Sequence, residues 1–156
     1  HDIMEKIYYR GRDNARTPMQ WDASENAGFT SGTPWIDVNP NYTSINTEAE
    51  KNDPDSVLNY YKAMIAFRKA HPVIVDGSFK EYFPDSDRIF AYVRENDSEM
   101  LFVILNFSAT KFALQIPEEI DMENAEVAMS NTGRTSFEGR VLDLRPYEAV
   151  VFLKRK

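Results

Sequence analysis

The sequence predicts an α+β chain, with loops and helices in the first half and an antiparallel β-sandwich in the second. Three observations carry this. Between Asp53 and Pro72 the apolar positions Val57, Leu58, Tyr61, Met64 and Ile65 recur every three to four residues, as on one face of a helix. After Gly77 the period drops to two, and short alternating or apolar runs separated by turn clusters continue to the C-terminus. Between Asp22 and Thr43 the density of Gly, Pro, Asn and Asp denies the chain regular structure. A hydrophobic content of 42% and an aromatic content of 13% in 156 residues support a packed core.

Taken in order, Asp2 to Tyr9 reads as a short helix, since Ile3, Met4 and Ile7 repeat at three and four residues, and Gly11 breaks it. The long 22–43 loop carries Phe29, Trp35, Ile36 and Tyr42, which are expected to pin it to a surface. Residues 46–51 predict a brief helical turn with Thr47 and Glu50 as a capping box. The main helix follows, with Asp53 as N-cap, Pro54 at its first position and Asp55 favouring its dipole. Arg68, Lys69 and His71 load its C-terminal end, and Pro72 stops it. Tyr60 and Tyr61 face different sides of it, one expected in a core and one at an interface.

Strands are expected at 79–83, 89–94, 100–107, 111–116, 126–129, 139–144 and 149–153, with turns at Pro84–Asp87 and Glu95–Ser98. The Met100–Phe107 run is apolar enough for a central strand. Short strands at regular spacing with hairpin turns mean an antiparallel sandwich. Phe83, Phe90 and Tyr92 fit its core, so no exposed aromatic row is expected on it. The Lys154-Arg155-Lys156 end is expected to fray.

Composition excludes several classes of partner. A net charge of −7, with no basic patch, argues against nucleic acid or an anionic membrane surface. No apolar run approaches the length of a membrane span. The absence of cysteine rules out disulfides and thiolate metal sites and fits a reducing cytoplasm. With only His1 and His71, far apart, no His-based metal site is expected, and no cofactor is implied.

The chemistry-bearing stretch is Gly11-Arg12-Asp13-Asn14-Ala15-Arg16-Thr17-Pro18-Met19-Gln20-Trp21-Asp22. Planar donors and acceptors pair with vicinal hydroxyls, and an indole covers the apolar side of a pyranose, so these residue types suit a sugar site. A solvated loop with an Arg-Asp pair is the residue-level alternative. This stretch resembles the α-glucosidases of the α-amylase superfamily, the group of oligo-1,6-glucosidases, dextran glucosidases and trehalose-6-phosphate hydrolases. So do Ser24–Thr30, Thr33–Tyr42, Asn59–Lys62, Phe67–Lys69, His71–Ile74 and Leu144–Ala149. The resemblance places the chain at the C-terminal end of a longer enzyme. It implies the end of a (β/α)8 barrel over residues 1–76 (last strand near Arg16, long loop, last helix) and the C-terminal sandwich domain over 77–156.

A retaining α-glycosidase needs a nucleophilic carboxylate and an acid roughly 5 Å apart. None of the 25 acidic residues lies in a motif resembling the family's catalytic trio, so no catalytic residue is assigned and the chain alone is expected to be inactive. The resemblance carries over one substrate contact, Arg16, which would bind the non-reducing glucose beside an upstream carboxylate; its structural alternative is a pair with Asp13 or Asp22. Arg12, Asp13, Gln20 and Trp21 are expected to support the site: Arg12 bracing the strand end, Asp13 (with Asn14) fixing the turn, Gln20 and Trp21 in the wall or anchoring the loop. Trp35 reads as a buried anchor, and Arg145 as a domain-interface ion pair. The implied partners are a short oligosaccharide, the rest of the barrel, and a second copy through exposed apolar surface. The reading from another class is a non-catalytic sandwich that binds carbohydrate or takes part in assembly.

Overall fold

A computed structural model describes residues 2–156; His1 lies outside the described residues. The chain falls into two compact units, one ending at Phe67 and the other formed by Arg68–Lys156.

The first unit begins with α1 (Asp2–Arg10), which Gly11 closes by donating its N–H to the Ile7 carbonyl at 2.6 Å. Where the last barrel strand was expected, Asp13–Ala15 forms a single 3-10 turn, and among the described residues no strand precedes Ser78. A barrel strand draws its ladder from two neighbours, and this stretch has none beside it. The 22–43 segment is irregular apart from 3-10 turns at Glu25–Gly28 and Pro40–Thr43, as its composition predicts. Asn26, Ala27 and Gly28 are successive left-handed residues, and a Cβ on Gly28 would lie 2.6 Å from the Asp22 carboxylate.

The helical turn α2 (Thr47–Asn52) has Asn46, not Thr47, as its N-cap: the Asn46 side chain accepts from the Ala49 N–H at 2.9 Å. Glu50 is therefore free to reach forward, and its carboxylate accepts from the Leu58 N–H at 2.9 Å. Asp53 caps only the local turn, accepting from Asp55 N–H, so α3 runs Val57–Ala70 with Ser56 Oγ accepting from Asn59 N–H at 3.2 Å. No α3 residue is buried; Tyr60 is half-buried and Tyr61 exposed.

The second unit opens with α4 (Val73–Asp76), a turn the sequence reading missed. The seven strands are β1 (Ser78–Tyr82), β2 (Ile89–Glu95), β3 (Glu99–Asn106), β4 (Phe112–Gln115), β5 (Glu126–Ser130), β6 (Val141–Leu144) and β7 (Ala149–Arg155). One sheet has the order β1-β2-β3-β7-β5, the other pairs β4 with β6, and every pairing is antiparallel. The sheets enclose one core, with Ala91, Phe102, Ile104 and Phe152 from the larger and Leu114, Leu142 and Leu144 from the smaller. Phe152 stacks on Phe102 at 6.1 Å and takes the edge of Phe137 at 4.8 Å. Such pairs add about 0.5–1.5 kcal/mol beyond the area they bury.

Of the expectations about this unit, Phe83 on the core holds, while the placing of Phe90 and Tyr92 and the frayed C-terminus are corrected. Phe83 packs on the core, but at a φ of 58° it ends the β1 alternation, so Tyr82 rather than Phe79 points inward. Phe90 and Tyr92 alternate with buried Ile89, Ala91 and Val93 and therefore stand on the outer face. The C-terminus is not frayed: β7 runs to Arg155, and Lys154, Arg155 and Lys156 pair with Asp121, Glu126 and Glu95.

Glu148, the one fully buried carboxylate among the described residues, organises the turns at one end of the sandwich. Its oxygens accept from Arg134 Nε at 2.7 Å and a second Arg134 nitrogen at 2.8 Å, Thr132 Oγ1 at 2.7 Å and the Arg145 N–H at 2.8 Å. Burial alone would push this carboxyl up. The bonds from Arg134, Arg145 and Thr132 outweigh it and hold the group at about 2. Arg145 joins the same knot through Thr132, donating to its carbonyl at 2.7 Å, rather than forming the expected interface ion pair.

Candidate functional site

The segment singled out by its chemistry is shaped by backbone bonds. Ala15 N–H donates to Arg12 C=O at 3.0 Å and Arg16 N–H to Asp13 C=O at 2.9 Å, closing the Asp13–Ala15 turn. Among the described residues the side chains of Arg12, Asp13, Asn14 and Arg16 make no hydrogen bond or ion pair within the unit. The expectation that Asp13 and Asn14 cap the turn is thus corrected: the main chain closes it unaided. Arg16 is exposed and pairs with neither Asp13 nor Asp22.

Asp22 has other partners. Its Oδ1 accepts from the Ser24 N–H at 2.8 Å and from the Ser24 hydroxyl, and these bonds, the hydroxyl's first, hold its carboxyl below the usual range. Trp21 N–H and Asp22 N–H both donate to the carbonyl of buried Ala27, at 2.9 and 3.3 Å. The Asn26 side chain donates to the carbonyls of Thr30 and Gly32, gathering the loop around itself.

Gln20 is the brace between distant parts of this unit. Its amide donates to Asn41 Oδ1 at 3.0 Å and to the Ile45 carbonyl, and its own carbonyl accepts from Thr47 N–H at 2.9 Å and Thr47 Oγ1 at 3.1 Å. The Trp21 carbonyl accepts from Glu48 N–H at 3.0 Å. With the Asn46 side chain, these two carbonyls satisfy the first three free N–H groups of α2. The Trp21 indole, by contrast, is 50% exposed and Trp35 98% exposed, so neither is the buried anchor expected. Both read as anchors only if a surface covers them.

Two of the clefts that the described residues of this unit form include residues of the chemistry-bearing stretch. One, of about 410 Å³, is lined by Asp13, Asn14, Thr17, Trp35, Ile36 and Asp37. The other, of about 450 Å³, is largely apolar and includes Gln20, Ile45, Leu58 and Tyr61. The candidates are therefore not brought to one place: Asp13 lines the first cleft, Gln20 the second, and Arg12, Arg16 and Trp21 neither. Sequence reasoning missed Asp37 beside Trp35 and the scaffold role of Asn41 and Asn46. The Asn39-Pro40 pair was a signal for part of it, since Asn39 caps the Pro40–Thr43 turn through Asn41 N–H at 3.2 Å.

Comparison with known proteins assigns the two halves separately. Residues 1–77 match the model for the alpha amylase catalytic domain, and residues 89–151 that for the alpha-amylase SusG C-terminal domain. The chain is 49% identical over 152 residues to the oligo-1,6-glucosidase of Parageobacillus thermoglucosidasius, covering 97% of this chain and 27% of that protein. It is 42% identical to the trehalose-6-phosphate hydrolase of Bacillus subtilis, again over 97% of this chain and 27% of that protein. Among solved structures it resembles the Bacillus licheniformis trehalose-6-phosphate hydrolase with a TM-score of 0.88 at 39% identity, covering 99% of this chain and 28% of that one. The chain thus spans about a quarter of the length of these relatives, and the part it matches is the end of their catalytic (β/α)8 domain followed by the antiparallel C-terminal sandwich. The chain belongs to the α-amylase superfamily, and the relatives it resembles are oligo-1,6-glucosidases and trehalose-6-phosphate hydrolases.

Proposed function

We propose that this chain is the C-terminal part of a retaining α-glucosidase that hydrolyses α-glucosidic bonds of short oligosaccharides in the cytoplasm. The observation that carries the reading is the 49% identity to an oligo-1,6-glucosidase along nearly the whole chain. The barrel would end near Asp76 and the sandwich domain begin at Gly77. The cytoplasmic placement rests on the absence of cysteine, which fits a reducing compartment.

In this reading Arg16 holds the non-reducing glucose. An exposed guanidinium with no partner in its own unit suits that role, because its planar fork remains available to hydroxyls and to a carboxylate from elsewhere in the barrel. Arg12 and Asp13 flank it, while Gln20 and Trp21 hold the loop through the backbone of α2. In a chimera of the Parageobacillus enzyme carrying this chain as its C-terminal stretch, Arg16→Lys should lower kcat/KM by roughly 10- to 100-fold, the range for losing a charge-assisted hydrogen bond. Near-normal kinetics would remove Arg16 from the site. The chain alone should not hydrolyse p-nitrophenyl α-glucoside, since it lacks the catalytic carboxylates; measurable turnover by the purified chain would overturn that.

A second reading draws on the exposed Phe79 and Phe90 of the sandwich, which suit a non-catalytic carbohydrate-binding or assembly module, including self-assembly into a dimer. Saturable oligosaccharide binding would support the former and a doubled mass in solution the latter.

A further inference from the structure

Asp76-Gly77 is the only place in the sequence where an aspartate or asparagine precedes glycine. In such a pair the side-chain carbon of the first residue lies within reach of the next backbone nitrogen, and glycine neither blocks the approach nor restricts the rotation it needs.

The structure shows why glycine stands there. Gly77 follows α4 and leads into β1 with a φ of −64°, which any residue adopts, so backbone freedom is not the reason. Space is. A Cβ at Gly77 would lie 2.5 Å from the Val73 carbonyl oxygen, 2.9 Å from Val73 Cγ2 and 3.0 Å from the Glu95 backbone nitrogen. Val73 itself has no accessible surface. The packing of α4 against β2 and β3 therefore fixes a glycine after Asp76, whose side chain is exposed to water.

Three sets of bonds hold the pair in an unreactive geometry. The Gly77 N–H donates to the Val73 carbonyl at 3.0 Å. Asp76 Oδ1 accepts from Asn96 Nδ2 at 3.0 Å, which draws the carboxylate toward the turn between β2 and β3. Arg94 pins the frame: its Nε donates to the Val73 carbonyl at 3.2 Å, and a terminal nitrogen donates to the carbonyls of Val75 at 3.2 Å and Gly77 at 2.7 Å. The last two carbonyls flank Asp76, so its backbone leaves the helical range only if a bond to Arg94 breaks. A helical ψ turns the Gly77 nitrogen away from the Asp76 side chain, and ring closure needs that rotation.

We propose that Asp76-Gly77 is a site of spontaneous isoaspartate formation, and that the clamp made by Arg94 and Asn96 sets its rate. When α4 opens, the Gly77 nitrogen attacks Cγ of the protonated Asp76 carboxyl. An N–Cγ bond forms as a Cγ–O bond breaks, and the hydroxyl leaves with the amide proton as water, giving a succinimide. Water then opens the ring. Attack at Cγ restores aspartate. Attack at the Asp76 main-chain carbonyl carbon breaks its bond to the Gly77 nitrogen and leaves the chain joined through Cγ. The water lost is regained, so the mass is unchanged and no other reactant is used. The isoaspartyl link adds one atom to the main chain, so Arg94 no longer meets all three carbonyls and the opening of α4 becomes permanent.

The test is ageing of the free chain at neutral pH below its melting temperature, with isoaspartate located by peptide mapping and by resistance to an endoprotease that cleaves before aspartate. The native chain should accumulate isoaspartate at Asp76 at least about 10-fold more slowly than the same chain unfolded in guanidinium chloride. Arg94→Lys keeps the charge but loses the planar fork, and should raise the native rate by about 10-fold. Asn96→Asp keeps the acceptor of its own turn but loses the donor to Asp76, and should raise it by about 5-fold. Both variants should age like the original chain in denaturant, which separates the clamp from any effect on the intrinsic chemistry, and Asp76→Glu should remove the signal. Equal rates in the native and unfolded chain overturn the proposal, as does native accumulation chiefly at another residue such as Asp97. Should Arg94→Lys not fold, Asn96→Asp decides alone, and a native rate unchanged in that variant overturns the clamp.

Discussion

The two compact units are built on opposite principles. In the sheet unit, residues far apart in sequence meet around Phe102, Phe152 and Leu144, and two sheets close over them. Among the described residues of the unit ending at Phe67 only Pro18, Ala27, Asn46 and Ser56 are buried, and order comes from hydrogen bonds such as those of Gln20, Asn26 and Asn59. Hydrogen bonds exchange with water and contribute about 1 kcal/mol each, whereas apolar burial is the main driving force of folding. A piece of barrel keeps its local shape through its turns but lacks the neighbours that would make it a core. A sandwich domain brings both of its layers with it.

The most direct way to break that contrast is to remove a core ring. Phe102→Ala should destabilise the sheet unit by about 3–5 kcal/mol, read by denaturant unfolding followed through β-sheet circular dichroism. If the loss were under about 1 kcal/mol, the shared core would not be what holds the sheets together.

The next effect comes from Glu148. From an ordinary value of 4.5 the folded protein holds this carboxyl at about 2. A depressed carboxyl stabilises the fold fully above the unfolded value and loses that contribution as pH falls, so the sheet unit should weaken between about pH 4.5 and pH 2. Linkage assigns on the order of 3 kcal/mol to this window. Glu148→Gln should remove the acid step and destabilise the fold at neutral pH by a similar amount, because Arg134 is left without its counter-charge. An unchanged acid midpoint in the variant would assign the acid sensitivity to other carboxylates.

The smallest effect sharpens the other side of the comparison. Trp35→Ala in the free chain should change stability by less than about 0.5 kcal/mol, since its indole is almost wholly in water. The same change in the chimera is expected to cost more, as covered aromatics do. Equal effects in both would mean that Trp35 stays exposed in the longer protein.

The legibility of the two units differs for the same reason. In the sheet unit all seven expected strands are present, because alternation such as Ile89-Phe90-Ala91-Tyr92-Val93 records which side chains enter a core that the chain itself supplies, whereas the strand expected near Arg16 is absent. Which face was the core was less legible: Phe90 and Tyr92 are as apolar as core residues, and only the register of β2 against β3 puts them outside. The first unit was legible in its helices and its irregular loop. It was not legible in its caps, where Asn46 and Ser56 displaced the expected Thr47 and Asp53. Single-residue capping preferences differ by about 1 kcal/mol or less, too little to decide between adjacent positions. The segment around Arg16 was legible as chemistry and by resemblance, but not as geometry. Within their own unit Asp13, Asn14 and Thr17 line one cleft and Gln20 another, while Arg12 and Arg16 line neither, a partition that nothing local in the sequence could reveal.

The register shift in β5 between Val127 and Met129 has a colloidal consequence. β5 and β1 are the two open edges of the larger sheet, and an open edge is a template on which another chain can add a strand. At β5 the irregularity interrupts the row of N–H and C=O groups, and the Glu126–Arg155 pair adds charge beside it. At β1, Lys80 and Glu81 stand exposed along a strand of only five residues. The sheet therefore discourages fibril-like growth at both edges even though its outer face stays partly apolar.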